Sequence, residues 1–152
     1  MKVLGIAVRV NKGKSTASLV VLEGNPGDDE TGVHVSDEFQ VTGDDSEWAA
    51  HVGGVAAAVR GHATSICPDI VVVRRADQAP HGRNSDGPKL RLLIEGGIVA
   101  ACRDVTPDVR VRTGKDCGKA RSTTKEDLDM RAGTLAGTAH REAVAAALSG
   151  FS

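Results

Sequence analysis

Met1-Lys-Val-Leu-Gly-Ile-Ala-Val-Arg-Val10 and Ser15-Thr-Ala-Ser-Leu-Val-Val-Leu-Glu23, joined by Asn11-Lys-Gly-Lys14, are the stretch that decides the fold. Both runs are aliphatic and rich in β-branched residues, and the link between them is short, polar and contains glycine. That combination predicts two strands and a hairpin turn. Gly13-Lys-Ser-Thr16 has the end of a phosphate-binding loop, but the full pattern needs a glycine five residues earlier, where Val8 stands. It also needs a helix to follow, so that backbone amides point at the phosphates, whereas Ala17–Leu22 reads as a strand.

Beyond the hairpin, Gly24–Gly32 is acidic and turn-rich and reads as a surface loop. Val33–Val41 alternates in part, with Val33, Val35, Phe39 and Val41 on one side, and predicts a third strand. Asp44, Asp45 and Ser46 are candidate starters of a helix from about Glu47 to Gly61, with Val52, Val55, Ala56 and Val59 on its inner face. Pro68-Asp-Ile-Val-Val-Val-Arg-Arg75 reads as a buried parallel strand. Ala76–Pro88 reads as a flexible loop. Lys89–Arg103 predicts a helix that buries Leu90, Leu93, Ile94, Ile98, Ala101 and Cys102. Val109–Arg112 alternates as a last short strand, and Thr123–Met130 with Leu135–Leu148 predicts a helical hairpin or broken helix. The expectation is a single α/β domain over residues 1–152, in the order β-β-β-α-β-α-β-α. Its mixed five-stranded sheet carries helices on both faces.

Composition narrows the function classes. The chain has 152 residues, enough for one full core, and a formal net charge of −1. Aromatic residues are limited to Phe39, Trp48 and Phe151, which argues against stacking of bases on an aromatic platform. Charged residues from Glu23 to Glu47 are all acidic, whereas basic residues outnumber acidic ones from Arg74 to Arg121, so one acidic and one basic face are expected. Cys67, Cys102 and Cys117 have no zinc or disulfide spacing, and Cys67 and Cys102 read as small core residues. His34, His51, His62, His81 and His140 share no ligand spacing and read as surface or helix-end residues. Neither a signal peptide nor a membrane span is expected, and a reduced, cytoplasmic setting follows.

The order of elements resembles the RNase H-like superfamily, and its RuvC-type branch in particular. Leu4-Gly-Ile6 resembles the segment before that branch's first catalytic Asp. Pro68–Val73 resembles the strand that ends in a catalytic Glu. Val111–Lys119 resembles the segment after the fifth strand, and His140-Arg-Glu-Ala-Val-Ala-Ala-Ala-Leu148 resembles the last helix, where the remaining acids reside. The resemblance implies a two-metal nuclease site, which needs several carboxylates around a cation pair. At the matching positions stand Ala7, Arg74 and Ala139, with His140 and Glu142 alongside. Asp69 and Glu95 are the substitutes a shift of register would offer.

A degenerate member that acts by binding, as scaffold, regulator or oligomer, is therefore the first expectation, with no cofactor. Its vestigial cleft would hold Ala7, Arg74, His140 and Glu142, with an Arg74–Glu142 ion pair filling the metal's place. A divergent nuclease using Mg or Mn is the second. The third is an electrostatic nucleic-acid binder without cleavage, whose phosphate contacts would be Lys115, Lys119 and Arg121. Gly96, Gly97, Ala100 and Ala101 would let the Lys89–Arg103 helix pack closely, in a homodimer or on its own sheet.

Overall fold

The computed structural model describes residues 1–77 and 86–152; His81, Arg83 and most of the loop expected over Ala76–Pro88 lie outside the described residues. In chain order the elements are β1 (Lys2–Asn11), β2 (Lys14–Glu23), β3 (His34–Gly43), α1 (Trp48–Ile66), β4 (Ile70–Arg74), α2 (Asp86–Arg103) and β5 (Val109–Arg112). They are followed by α3 (Gly114–Ala120), α4 (Lys125–Ala132), a single 3-10 turn (Thr138–His140) and α5 (Arg141–Ser149). The sheet runs β3-β2-β1-β4-β5. The first three strands form an antiparallel meander, and β4 and β5 are added in parallel to β1. This is the expected mixed sheet, with helices on both faces.

The hairpin turn is built from Lys12 and Gly13, both at positive φ (51° and 76°), the geometry a two-residue turn needs to follow the twist of the strands. β1 and β2 lie inside the sheet and are covered on both sides, which is why they are almost continuously apolar. β3 is an edge, and its partly polar sequence follows from that. Ser36 is an extra residue there, because Val21 pairs with Asp37 while Leu22 pairs with Val35. β3 and β5 stand at opposite edges, so the acidic Asp37 and Glu38 and the basic Arg110 and Arg112 are segregated across the sheet.

Two cores flank the sheet. Leu4, Ile6, Val8, Leu19, Val71 and Val73 pack under α1 and α2 against Val55, Val59, Ile94 and Ile98. On the other side Val3, Val20, Leu22 and Val72 pack under α5 against Ala143, Ala147 and Phe151.

Several expectations are corrected. α1 passes Gly61 and ends at Ile66, since Ala63 continues the buried stripe of Val55 and Val59. Its cap is Glu47, whose carboxylate accepts from the Ala49 and Ala50 amides, and not Asp44, Asp45 or Ser46. Cys67 is exposed, in a left-handed cap after α1, and so is not a core residue. Leu93 is 50% exposed, because α2 buries the stripe Leu90, Ile94, Ile98 and Cys102 and leaves Leu93 outside it.

Gly114–Ala120, for which the sequence predicts no element, is a helix closed by a capping box between Thr113 and Asp116. His51 is buried, contrary to its surface reading. Its Nε2 lies 2.7 Å from Ser15 Oγ, and its Nδ1 lies 3.0 Å from the Asp45 carbonyl oxygen. A carbonyl can only accept, so Nδ1 carries the proton and Nε2 accepts from the Ser15 hydroxyl. The ring thereby pins α1 to the hairpin.

Candidate functional site

The parallel pairing of β1 and β4 puts Ala7 beside Arg74, and the antiparallel pairing of β1 and β2 puts Ala7 beside Ser18. These three positions face α5. A small cleft of about 100 Å³ opens there, lined by Ala7, Arg9 and Ser18 from the sheet, by Thr138 and Ala139 from the 3-10 turn and by Arg141 and Glu142 from the start of α5. Ser18 Oγ donates to the Ala139 carbonyl oxygen at 3.1 Å, which fixes the approach of α5 to β2. Of the four residues expected in a vestigial cleft, Ala7 and Glu142 line this one, together with Ala139, whereas Arg74 and His140 are not part of its lining. His140 sits in the 3-10 turn next to them, with its Nδ1 buried and without a hydrogen-bond partner among the described residues.

Arg74 does not pair with Glu142. Its guanidinium is bidentate on Asp129 of α4, with Nη1 2.6 Å from Oδ1 and Nη2 3.1 Å from Oδ2. Arg74 is 3% exposed and the Asp129 side chain 15%. Burial works against the charge on Arg74. The hydrogen bonds and charge of Asp129, with Glu142 as a more distant anion, outweigh it and hold the guanidinium above its ordinary pKa. Space for the head group comes from Gly114: a Cβ there would lie 2.5 Å from Arg74 Nη2. Asp129 was missed in sequence because α4 is too polar and short to reveal which of its acids faces inward. Cys117 is buried nearby, and burial pushes its thiol up against the opposing influence of Ser149, Arg74 and Arg112.

A second, broader cleft shares Arg9 with the first. Arg9 and Lys14 from the hairpin, Arg75 from the end of β4 and Arg91 from α2 line it, with Asp77 as the acid. Arg91 is oriented by the buried carboxylate of Glu95, 3.2 Å from its Nε. Glu95 also accepts from the Ala76 amide at 3.0 Å. Glu95 thus braces the loop after β4, and Asp69 accepts from the Lys2 amide at 2.7 Å at the far end of that strand. Neither lines the small cleft.

Lys115 and Lys119 are exposed on α3, one turn apart. Arg121 is not grouped with them as a free contact, since it donates to the Asp28 carbonyl oxygen at 2.8 Å and ties α3 to the loop after β2. Gly97 packs on Val52 of α1 and Ala101 is buried, whereas Gly96 and Ala100 are exposed beside Leu92 and Leu93.

The two-metal site that the sequence resemblance implies would need several carboxylates, and the donor set at the small cleft does not fit a pair of cations. Ala7 and Ala139 carry no side-chain oxygen, Arg74 is itself a cation, and Asp129 is committed to it. Glu142 is left as the one carboxylate lining the cleft among the described residues. No group of three or more His, Cys, Asp or Glu side chains suited to a metal occurs among the described residues.

A mixed sheet of order β3-β2-β1-β4-β5, with helices on both faces, matches the RNase H-like α/β fold. Within that class the chain is similar to RuvC of Thermus thermophilus, at a TM-score of 0.69 and 17% identity, covering 99% of this chain and 94% of that one. It is equally similar, at 0.69 and 16% identity over the same coverage, to T. thermophilus RuvC in complex with a Holliday junction substrate. No protein-family model and no curated protein sequence matches the chain. None of the helices described is long and apolar enough to cross a membrane.

Proposed function

We propose that this chain is a RuvC-like domain that acts in the cytoplasm by binding rather than by cleaving, and that what it binds is a nucleic-acid backbone laid along the ends of β1 and β4. One observation carries the reading: Arg9, Lys14, Arg75 and Arg91 converge on the cleft beside the position where a nuclease of this fold needs carboxylates. Cations so placed attract phosphates, while Ala7 and Arg74 leave no ligand set for the metal pair that would activate water. The similar structure with a Holliday junction makes branched DNA the first ligand to try. Sparse aromatics favour backbone contact over stacking.

The test is a titration of branched and single-stranded DNA at several salt concentrations, with manganese present and absent. Four phosphate contacts give a slope of log K against log salt of roughly −3.6, so a fourfold rise in salt weakens binding on the order of a hundredfold. R9E/K14E is expected to abolish binding, and K115E/K119E, on the neighbouring α3, to weaken it less. Affinity indifferent to salt, or manganese-dependent cleavage by the wild type, would overturn the proposal. Homodimerisation belongs to the same reading, through exposed Leu92 (59%) and Leu93 (50%) beside the small Gly96 and Ala100 on α2. Sedimentation velocity on the titrated samples settles that part: a monomer at every concentration, with and without DNA, removes it.

A further inference from the structure

We propose that Arg74 is this protein's built-in cation: its guanidinium takes over, permanently, the electrostatic work that a bound divalent ion would do between the sheet and the helices that cover it. The inference goes beyond DNA binding and does not depend on it.

Arg74 ends β4 directly beside Ala7, the position at which the resemblance calls for a metal ligand. Its two terminal nitrogens engage both oxygens of Asp129, and Glu142 lies close enough to favour the charge. One positive charge on the strand is therefore held by the carboxylate of α4 and favoured, at longer range, by that of α5. The pocket is shaped for it. Gly114 leaves the room that a Cβ would take from Nη2, and the same absent Cβ would also meet Lys125 Cε at 2.7 Å, so the aliphatic stem of Lys125 covers the gap. A carboxylate on the strand would be repelled by Asp129 and would need a cation between them. An arginine needs none. With Arg74 on the strand, the half-buried Asp129 has its counter-ion, and Ala7 needs no oxygen to hold another.

Two measurements test this. The first is a double-mutant cycle of R74M, D129L and R74M/D129L followed by thermal unfolding. Each single variant strands a charge, so R74M is expected to lower Tm by about 10 °C, and the double variant to recover much of that loss. Purely additive losses would overturn the inference.

The second is A7D/R74E, which exchanges the fixed cation for carboxylates. Its Tm is expected to rise by about 5 °C or more when Mn²⁺ is present at about a hundredfold over its Kd, with bound Mn²⁺ visible by electron paramagnetic resonance. Wild-type Tm is expected to be indifferent to Mn²⁺ and Mg²⁺. Stabilisation of the wild type by either cation, or an A7D/R74E variant blind to Mn²⁺, would refute the built-in cation. Should A7D/R74E fail to fold without metal and refold when Mn²⁺ is added, the inference is supported. Failure to refold with Mn²⁺ counts against it. None of these readouts involves DNA, so loss of the binding reading would leave them standing, and their failure would leave the binding reading intact.

Discussion

Under α1 and α2 the sheet presents Leu4, Ile6 and Val8 from β1, and the helices meet them with Val55, Val59, Ile94 and Ile98. Under α5 the same strand presents Val3, Gly5 and Ala7, and the helix meets them with Ala143, Ala146 and Ala147. Large side chains on the first face keep its helices at a distance and fill the gap with methyl groups, which tolerate adjustment. On the second face the backbones themselves nearly touch. A Cβ on Gly5 would lie 2.0 Å from the Ala143 carbonyl oxygen and 2.7 Å from the Ala147 amide nitrogen, both of them backbone atoms. That close approach brings the start of α5, with Glu142 and Arg141, to the strand ends where the small cleft forms. The face that builds the site is also the face with no slack.

The largest way to break this comparison is Gly5→Ala. A single methyl group has nowhere to go, because neither Ala143 nor Ala147 can rotate out of its path. The loss is expected to exceed about 4 kcal/mol in urea unfolding and to leave little folded protein. The opposite face should respond quite differently: Ile98→Val, one methylene smaller there, costs on the order of 1 kcal/mol. Equal costs would mean that the two faces are packed alike after all.

A second, smaller effect sharpens the contrast between the polar elements of each face. Arg74 and Asp129 are charged, and they close the α5 side. On the α1 side the buried polar link is instead a single hydrogen bond between Ser15 and His51, with the ring held on its other edge by the Asp45 carbonyl. Ser15→Ala leaves His51 Nε2 as a buried acceptor without a donor, at a cost of about 1–3 kcal/mol. A hydroxyl restored as Ser15→Thr should recover part of it if the bond is what matters. No difference between Ala and Thr at position 15 would sink that account.

What the sequence revealed and concealed follows the same physical line. β1, β2 and β4 announce themselves because strands covered on both faces must be continuously apolar, and Ile70–Val73 has no other reading. Strand register and the last helix also placed Ala7 and Glu142 near one another, but not the turn of Thr138 and Ala139 that completes the lining. α3 was hidden because Gly114 and Gly118 disfavour a helix, yet tertiary packing demands them: a Cβ on Gly118 would strike the backbone at Thr124 and Lys125. Thr113 and Asp116 were the available signal, a capping box without an apolar run behind it.

The partner of Arg74 lay beyond periodicity altogether, since Asp129 is one of several acids on a helix with little apolar character. His51 was read only as a surface or helix-end residue, because the histidines share no ligand spacing; it does stand in the first turn of α1, but buried. Gly43, which makes the space its ring occupies, sits on a different element, a relation no local pattern carries.

The smallest expected effect concerns Glu95, the buried carboxylate on the α1 and α2 face. Burial, opposed by the charge and hydrogen bond of Arg91 and by the Ala76 amide, holds its pKa above the ordinary 4.5. Between the unfolded and folded values the folded state therefore binds more proton. The stabilisation that accompanies the neutral form is complete below pH 4.5 and is lost as pH rises through the folded pKa.

Asp29, Asp108 and Asp116 act in the other direction, since hydrogen bonds from Thr31, Arg110 and Thr113 hold them below the usual 3.8. Their contributions are in place above that value and fade as pH falls, so they leave the window above pH 4.5 to Glu95. Glu95→Gln keeps an acceptor for the Ala76 amide and cannot ionise. Its urea midpoint should stay level from pH 4.5 to pH 7, while that of the wild type declines through the same window. Parallel curves would show that Arg91 fully compensates the buried charge. The α2 face would then tolerate an ion pair as readily as the α5 face tolerates Arg74 and Asp129.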